Sequence, residues 1–176
     1  MKNFRRIGLA ASPKSWIGVK ENTKAGILTN YVANINSEIE VLATYPTSYK
    51  LKQEGEKGRS ALFFNGISCS INTYNNTIGF WYGSKVFDNV PFSAKGGDLL
   101  HVIVDRKRVV VNGTQLLSFD NITNVSTDLP MSILYRYLVG LDDYLYYGRL
   151  YFFVIKEQLN IVRYFVPVSH KGRYDN

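Results

Sequence analysis

Cysteine is almost missing from this chain: Cys69 is the only one in 176 residues. No intrachain disulfide can form, and no cysteine-based zinc site can be assembled. Histidine is nearly as scarce, with only His101 and His170. Neither is convincingly paired with a serine or cysteine, so no nucleophilic triad is readable. No apolar run reaches the length of a membrane helix; the densest, Leu150 to Ile155, is strand-sized. Membrane insertion is therefore not expected. The start also lacks the apolar core of a secretory signal, because Ile7 to Ala11 is short and Pro13 and Lys14 follow at once. Folding in a reducing cytoplasm is the expectation. On that basis the N-x-S/T sequons at Asn75, Asn112, Asn121 and Asn124 read as turn asparagines rather than glycosylation sites. Capped helical periodicity is absent throughout. So are phosphate-binding glycine loops, since Gly96-Gly97 precedes a strand rather than a helix.

What remains is a globular composition with 45% hydrophobic and 20% charged residues, in a length suited to one domain. The dominant pattern is period two. In Ser37–Tyr45 the residues Ile39, Val41, Ala43 and Tyr45 face one way and Glu38, Glu40 and Thr44 the other, with Leu42 as the exception. Further strands are predicted at 16–20, 27–32, 60–65, 67–72 and 77–82. The second half adds 99–105, 108–112, 115–119, 131–138, 149–155 and 161–166. Turn signals separate them at Asn65-Gly66, Asn75-Asn76, Gly96-Gly97 and Asn112-Gly113, the last being the strongest hairpin signal. So many short strands in one domain predict an all-β, two-sheet antiparallel jelly-roll sandwich. The charged stretch 50–59 reads as a solvated loop.

Three segments together resemble the laminin-G-like jelly rolls of the concanavalin A-like lectin/glucanase class, in the stand-alone form common in bacteriophages and gut bacteria. Gly26 to Tyr31 followed by Ser37 to Val41 is similar to the family's opening strand pair. His101 to Asp105 with Val109 to Gly113 resembles its central hairpin, and Gly148 to Ile155 with Leu159 to Pro167 its closing one. The closing phrase Val162-Arg163-Tyr164-Phe165 carries Tyr164 where the family often has an acidic residue. The resemblance implies a jelly-roll domain over 26–176, preceded by a basic arm over 1–25 that includes one edge-strand candidate, Trp16–Lys20. Two departures accompany it. The chain stops at Tyr174-Asp175-Asn176, where relatives continue into another hairpin, and residues 1–25 have no clear counterpart. A sheet edge is thereby left for Trp16–Lys20 or for a partner.

Glucanases of this fold carry Glu-x-Asp-x-Glu on one strand, which places two carboxylates for retaining hydrolysis. The nearest match, Glu38-Ile39-Glu40-Val41-Leu42, has Leu42 at the third carboxylate position. No catalytic residue is therefore assigned, and the chain is expected not to be an enzyme. No cofactor or metal is expected either. Asp142-Asp143 invites comparison with the calcium sites of laminin-G relatives, but calcium takes six to eight oxygens and paired turn acids are common without it. His101 reads as a hydrogen-bonded structural residue and Cys69 as a small core residue. Aromatics make up 14% of the chain and crowd the stretch from Tyr135 to Phe153, with a second group at Phe80-Trp81-Tyr82. Most read as core. An exposed platform for a sugar ring is sought at Trp81, Tyr82, Tyr144 and Tyr146.

The net charge is +7, and it is concentrated at one end. Residues 1–24 hold six basic side chains against Glu21 alone, a net of +5. The other 152 hold 15 basic and 13 acidic, a net of +2. A nearly neutral sandwich argues against nucleic-acid binding by its surface. The arm, with Arg5, Arg6 and Lys14, reads instead as an anchor onto an acidic neighbour. With the family resemblance, these features lead to a virion-located, non-enzymatic bacteriophage component such as a head-fibre, decoration or tail-associated protein. It is expected to oligomerise with its own copies, to dock on other virion proteins and to serve adhesion. The alternative is a lectin-like module that recognises host or environmental glycans.

Overall fold

The computed structural model describes residues 26–46, 59–72, 76–120, 122, 124, 125, 127–138, 141–143, 146 and 148–166. Among the described residues every regular element is a strand. They are β1 (Ile27–Leu28), β2 (Ser37–Thr44), β3 (Arg59–Phe64), β4 (Ile67–Asn72), β5 (Thr77–Tyr82), β6 (Lys85–Pro91) and β7 (Leu99–Val104). There follow β8 (Arg108–Val111), β9 (Thr114–Ser118), β10 (Ser132–Ile133), β11 (Arg136–Leu138), β12 (Leu141–Asp143), β13 (Leu150–Glu157) and β14 (Asn160–Phe165). One sheet, here sheet A, runs β1-β10-β3-β4-β5-β6; the other, sheet B, runs β14-β13-β2-β7-β8-β9. A separate two-stranded ribbon joins β11 to β12. Every ladder is antiparallel, so the all-β two-sheet sandwich expected from period-two patterning is what forms. The arm over 1–25, with Trp16–Lys20, and the loop as far as 58 lie outside the described residues.

The two sheets meet on the side chains that alternation points inward. β2 buries Ile39, Val41 and Ala43 against Val102 and Val104 of β7 and Phe153 and Ile155 of β13. Sheet A contributes Phe63, Ile67, Cys69, Ile71, Ile78, Phe80 and Tyr82 to the same core. Phe63 and Phe153 join the layers edge to face, with centroids 5.6 Å apart. Burial of each such ring stabilises the fold by about 2–3 kcal/mol. At one end of the sandwich, Phe119 lies between Tyr82 (5.7 Å) and Phe87 (5.5 Å).

Polar groups pin the strand entrances. The Tyr31 hydroxyl sits 2.6 Å from both Ser37 Oγ and Glu157 Oε1, and Asn34 Nδ2 donates to the same carboxylate oxygen at 2.7 Å. Burial first, and then the hydrogen bond to Glu157, push the Tyr31 hydroxyl up to about 12. This cluster ties the 29–36 connection to the end of β13.

Four elements differ from the sequence expectation: β12 (Leu141–Asp143) is a strand where Asp142-Asp143 reads as a turn, and three others change for local reasons. The strand expected over 27–32 stops at Leu28. Thr29 Oγ1 turns instead to the Met131 carbonyl (2.8 Å), and Asn30 adopts φ 54°. The strand expected over 131–138 is divided by Leu134, which takes φ 66°. β6 was not expected at all, because Asp88, Asn89 and Pro91 are poor strand residues. It forms because the Gly83 turn folds it back on β5, with Tyr82 opposite Lys85. Gly83 has φ +56°, and a Cβ there would stand 1.6 Å from the Asn124 carbonyl oxygen, so no other residue fits.

Candidate functional site

The outward face of sheet A is the most unusual surface of the molecule. In β4, Ile67, Cys69 and Ile71 point into the core, so Ser68, Ser70 and Asn72 must point outward. An outward row of small polar residues would ordinarily be solvated, yet all six residues of β4 are buried. Opposite them on β5 stand Trp81, Gly79 and Thr77, paired with Ser68, Ser70 and Asn72 respectively. Ala61 of β3 continues the row beyond Ser70. A lane of small residues, Ala61–Ser70–Gly79, thus crosses three strands.

A β-bulge completes this lane. Ile78 pairs with Val90 and Phe80 with Phe87, so Gly79 faces two residues, Asp88 and Asn89, instead of one. Asn89 takes φ 61° to accommodate the extra residue. The result is a convergence over Gly79. A Cβ at that position would lie 3.0 Å from Ser70 Oγ, 3.4 Å from the far edge of the Trp81 indole (Cη2) and 3.5 Å from Asp88 Oδ1. The Trp81 ring therefore reaches back along its own strand, one edge over the glycine, and stays partly exposed.

The electrostatics of the lane are unbalanced. Asn72 Nδ2 donates to Thr77 Oγ1 at 3.1 Å, and Thr77 Oγ1 is 3.4 Å from Asn89 Oδ1. Ser70 Oγ and Asn72 Oδ1, by contrast, are buried with no hydrogen-bond partner. An orphaned buried polar atom costs about 1–3 kcal/mol and is rare enough to need a reason. Asp88 is exposed, and among the described residues none forms a hydrogen bond or ion pair with its carboxylate. The other two orphaned atoms, Tyr45 Oη and Ser60 Oγ, belong to core-directed positions.

Of the three described residues sought as a sugar platform, Trp81 alone has this setting. Tyr82 is a correction: it is fully buried, its ring packs on Phe119, and its hydroxyl donates to the Ser37 carbonyl at 2.5 Å. Alternation explains it, because Tyr82 shares the inward face with Phe80 while Trp81 takes the other. Tyr146 is a second correction. It too is fully buried, and its hydroxyl donates to the Thr44 carbonyl at 2.7 Å. Burial pushes both hydroxyls well above the ordinary tyrosine value. Tyr144, like Arg5, Arg6 and Lys14, lies outside the described residues, as does His170.

The outward face of sheet B carries the remaining sequence candidates. Glu40 receives Lys156 Nζ at 2.7 Å and His101 Nε2 at 3.1 Å. Burial pulls the Glu40 carboxyl up, but the hydrogen bonds and charges of Lys156 and His101 together outweigh it and hold the group below 4.5. Leu42, the exception in the alternation, sits between Phe152 and His101, with which it pairs across the sheet. The third carboxylate position of the glucanase pattern is thus part of an apolar row. Cys69 is buried in the core, and Asp142 and Asp143 lie in β12 opposite Tyr137 and Arg136.

No family model matches this chain, and no curated protein matches it.

Proposed function

We propose that this chain is a non-enzymatic binding module: a laminin-G-like jelly roll that serves as a bacteriophage structural or decoration component and recognises a surface glycan. The observation that carries the reading is the partly exposed Trp81 indole, whose edge lies near the exposed Asp88 carboxylate on the outward side of sheet A. A flat aromatic ring offers a stacking surface to a sugar, and adjacent acceptors fix its orientation. Leu42 at the third carboxylate position supports a binding rather than a hydrolytic role.

The particle setting draws on the family resemblance and on one edge of the sandwich. β14 ends sheet B in the order of the described strands, and it or its turn exposes Leu159, Ile161 and Tyr164. Such apolar exposure on an edge strand suits contact with a neighbouring subunit, whether another copy or a different virion protein. The basic arm with Arg5, Arg6 and Lys14 supplies a charge-based anchor.

Two measurements test the reading. Immobilised oligosaccharides should retain the wild-type protein but not Trp81→Ala; equal retention of both, or of neither, overturns the glycan role. Peptides of this chain should be recovered from purified phage particles by mass spectrometry. Their absence from the particles overturns the virion role.

A further inference from the structure

We propose that the Trp81 indole and the Asp88 carboxylate together read a positive charge on the glycan, so that the preferred ligand is an amino sugar with a free ammonium group. The inference rests on the glycan reading and adds the charge class of the sugar and the residue that selects it.

The two groups are neighbours on an open surface. Trp81 Cη2 and Asp88 Oδ1 stand 3.4 and 3.5 Å from the Cβ position of Gly79. That position is closely ringed by these groups and by Ser70 Oγ, which is buried. A ligand therefore meets them from outside, where Trp81 is partly exposed and Asp88 exposed. Val86, 53% exposed and paired with Trp81 across the ladder, widens the apolar surface on the same side. The Asp88-Asn89 bulge is what brings the carboxylate to the ring, because it sets Asp88 Oδ1 beside Gly79, two residues from Trp81 on β5.

Both groups favour a cation. A carboxylate accepts hydrogen bonds and offers none, so it matches the three donors of an ammonium. The face of an indole attracts a cation as well. No cation of the protein answers Asp88: among the described residues its carboxylate has no hydrogen bond or ion pair. Glu40 and Asp105, by contrast, are each answered by a basic side chain. A neutral sugar would leave the Asp88 charge unanswered, and a uronic acid would place a second negative charge beside it. An amino sugar supplies the ammonium and, on its ring, the C–H surface that packs on Trp81 and Val86.

The probes are short chito-oligosaccharides in two forms of equal length, one with free amines and one fully N-acetylated. They are titrated against the full chain by calorimetry, in a mildly acidic buffer that keeps the amines protonated. Wild type should bind the free-amine form about threefold to tenfold more tightly, the combined scale of one exposed ion pair and one exposed cation–π contact. The preference should shrink towards parity as salt is raised to about 1 M, where screening acts within about 3 Å. Asp88→Asn, at an exposed position, should bring the two forms within about twofold of each other. Trp81→Ala should abolish binding of both. Equal binding of the two forms by wild type, a preference for the acetylated form, or a preference that survives Asp88→Asn overturns the inference and leaves the glycan reading standing. An oligolysine peptide of the same charge is the control for the ammonium alone. If it binds through Asp88 as tightly as the amino sugar, the ligand is a protein cation and the inference is overturned. If neither form binds while other immobilised oligosaccharides are retained through Trp81, the inference falls and the glycan reading survives; if no oligosaccharide is retained, both fall.

Discussion

The turn between β13 and β14 holds a conformation its residues do not favour, and relieving it should stabilise the protein measurably. Glu157 pairs with Asn160, leaving Gln158-Leu159 as a two-residue connection with φ of 47° and 71°. Two successive positive φ values define the turn that Asn-Gly satisfies best. The same chain uses Asn112-Gly113, at 49° and 80°, for the equivalent connection between Val111 and Thr114. A residue with a Cβ in the left-handed region costs about 1–2 kcal/mol, less for asparagine. Glycine relieves this but loses about 0.5–1 kcal/mol through its freer unfolded chain. Leu159 is 83% exposed, so removing its side chain sacrifices little buried area. Gln158→Asn/Leu159→Gly should therefore gain about 1–2 kcal/mol, summing relief at both positions. In urea denaturation this reads as a midpoint raised by roughly 0.5–1 M at an unchanged slope, and a melting temperature higher by about 2–6 °C. The reciprocal change, Asn112→Gln/Gly113→Leu, should lower stability by more than this, because it also removes the Asn112 side chain's hydrogen bonds with His101 N and the Leu99 carbonyl. An unchanged or lowered midpoint in the first variant would refute the reasoning, because it would mean that the Leu159 side chain is held by contacts stronger than its backbone strain.

Two further outcomes follow from groups already described. Tyr146→Phe removes the hydroxyl that donates to the Thr44 carbonyl. It should cost about 1 kcal/mol in chemical denaturation, and Tyr146→Ala about 3–5 kcal/mol, with glycan retention by the phenylalanine variant unchanged. A loss of retention without a loss of stability would return Tyr146 to the surface. Glu40 is held below its ordinary value of 4.5, so its contribution is complete above that pH and fades as pH falls through the lowered folded value. The stability gap between wild type and Glu40→Gln should therefore be widest near neutrality and narrow in acid below about pH 4.5; a gap that widens on acidification contradicts the bridging by Lys156 and His101.

Where the fold was legible, one signal spoke for both strand and turn. β2, β4 and β5 match their alternating stretches nearly residue for residue, because a period-two pattern and the sandwich's inner face impose the same register. β6 escaped because its Asp88-Asn89 bulge interrupts the alternation that would have revealed it. That interruption is also what makes the candidate site, so the clue to the site hid the strand that carries it. Trp81 was found from alternation against Phe80 and Tyr82. The same alternation sets Tyr82 with Phe80 on the inner face, whereas Tyr146 lies in no alternating strand, and only its hydroxyl partner at Thr44 discloses its burial. Ser70, Gly79 and Asp88 belong to three strands, and no local pattern could assemble them.

The two outward faces differ in how their polar groups are satisfied among the described residues. On sheet B, Glu40 is answered twice, by a lysine and a histidine, and its neighbours Leu42 and Phe152 form an apolar row across the strands. The Glu40 charge is satisfied within the protein, so a ligand approaching it would have to break an ion pair before making a new contact. On sheet A, Ser70 Oγ and Asn72 Oδ1 are buried without partners, and the Asp88 carboxylate is left unengaged among the described residues. Ser70 Oγ and Asn72 Oδ1 lie beneath the reach of an incoming group, whereas the exposed Asp88 carboxylate can accept a hydrogen bond from one. The partly exposed Trp81 edge near that carboxylate is the arrangement on which the binding proposal rests.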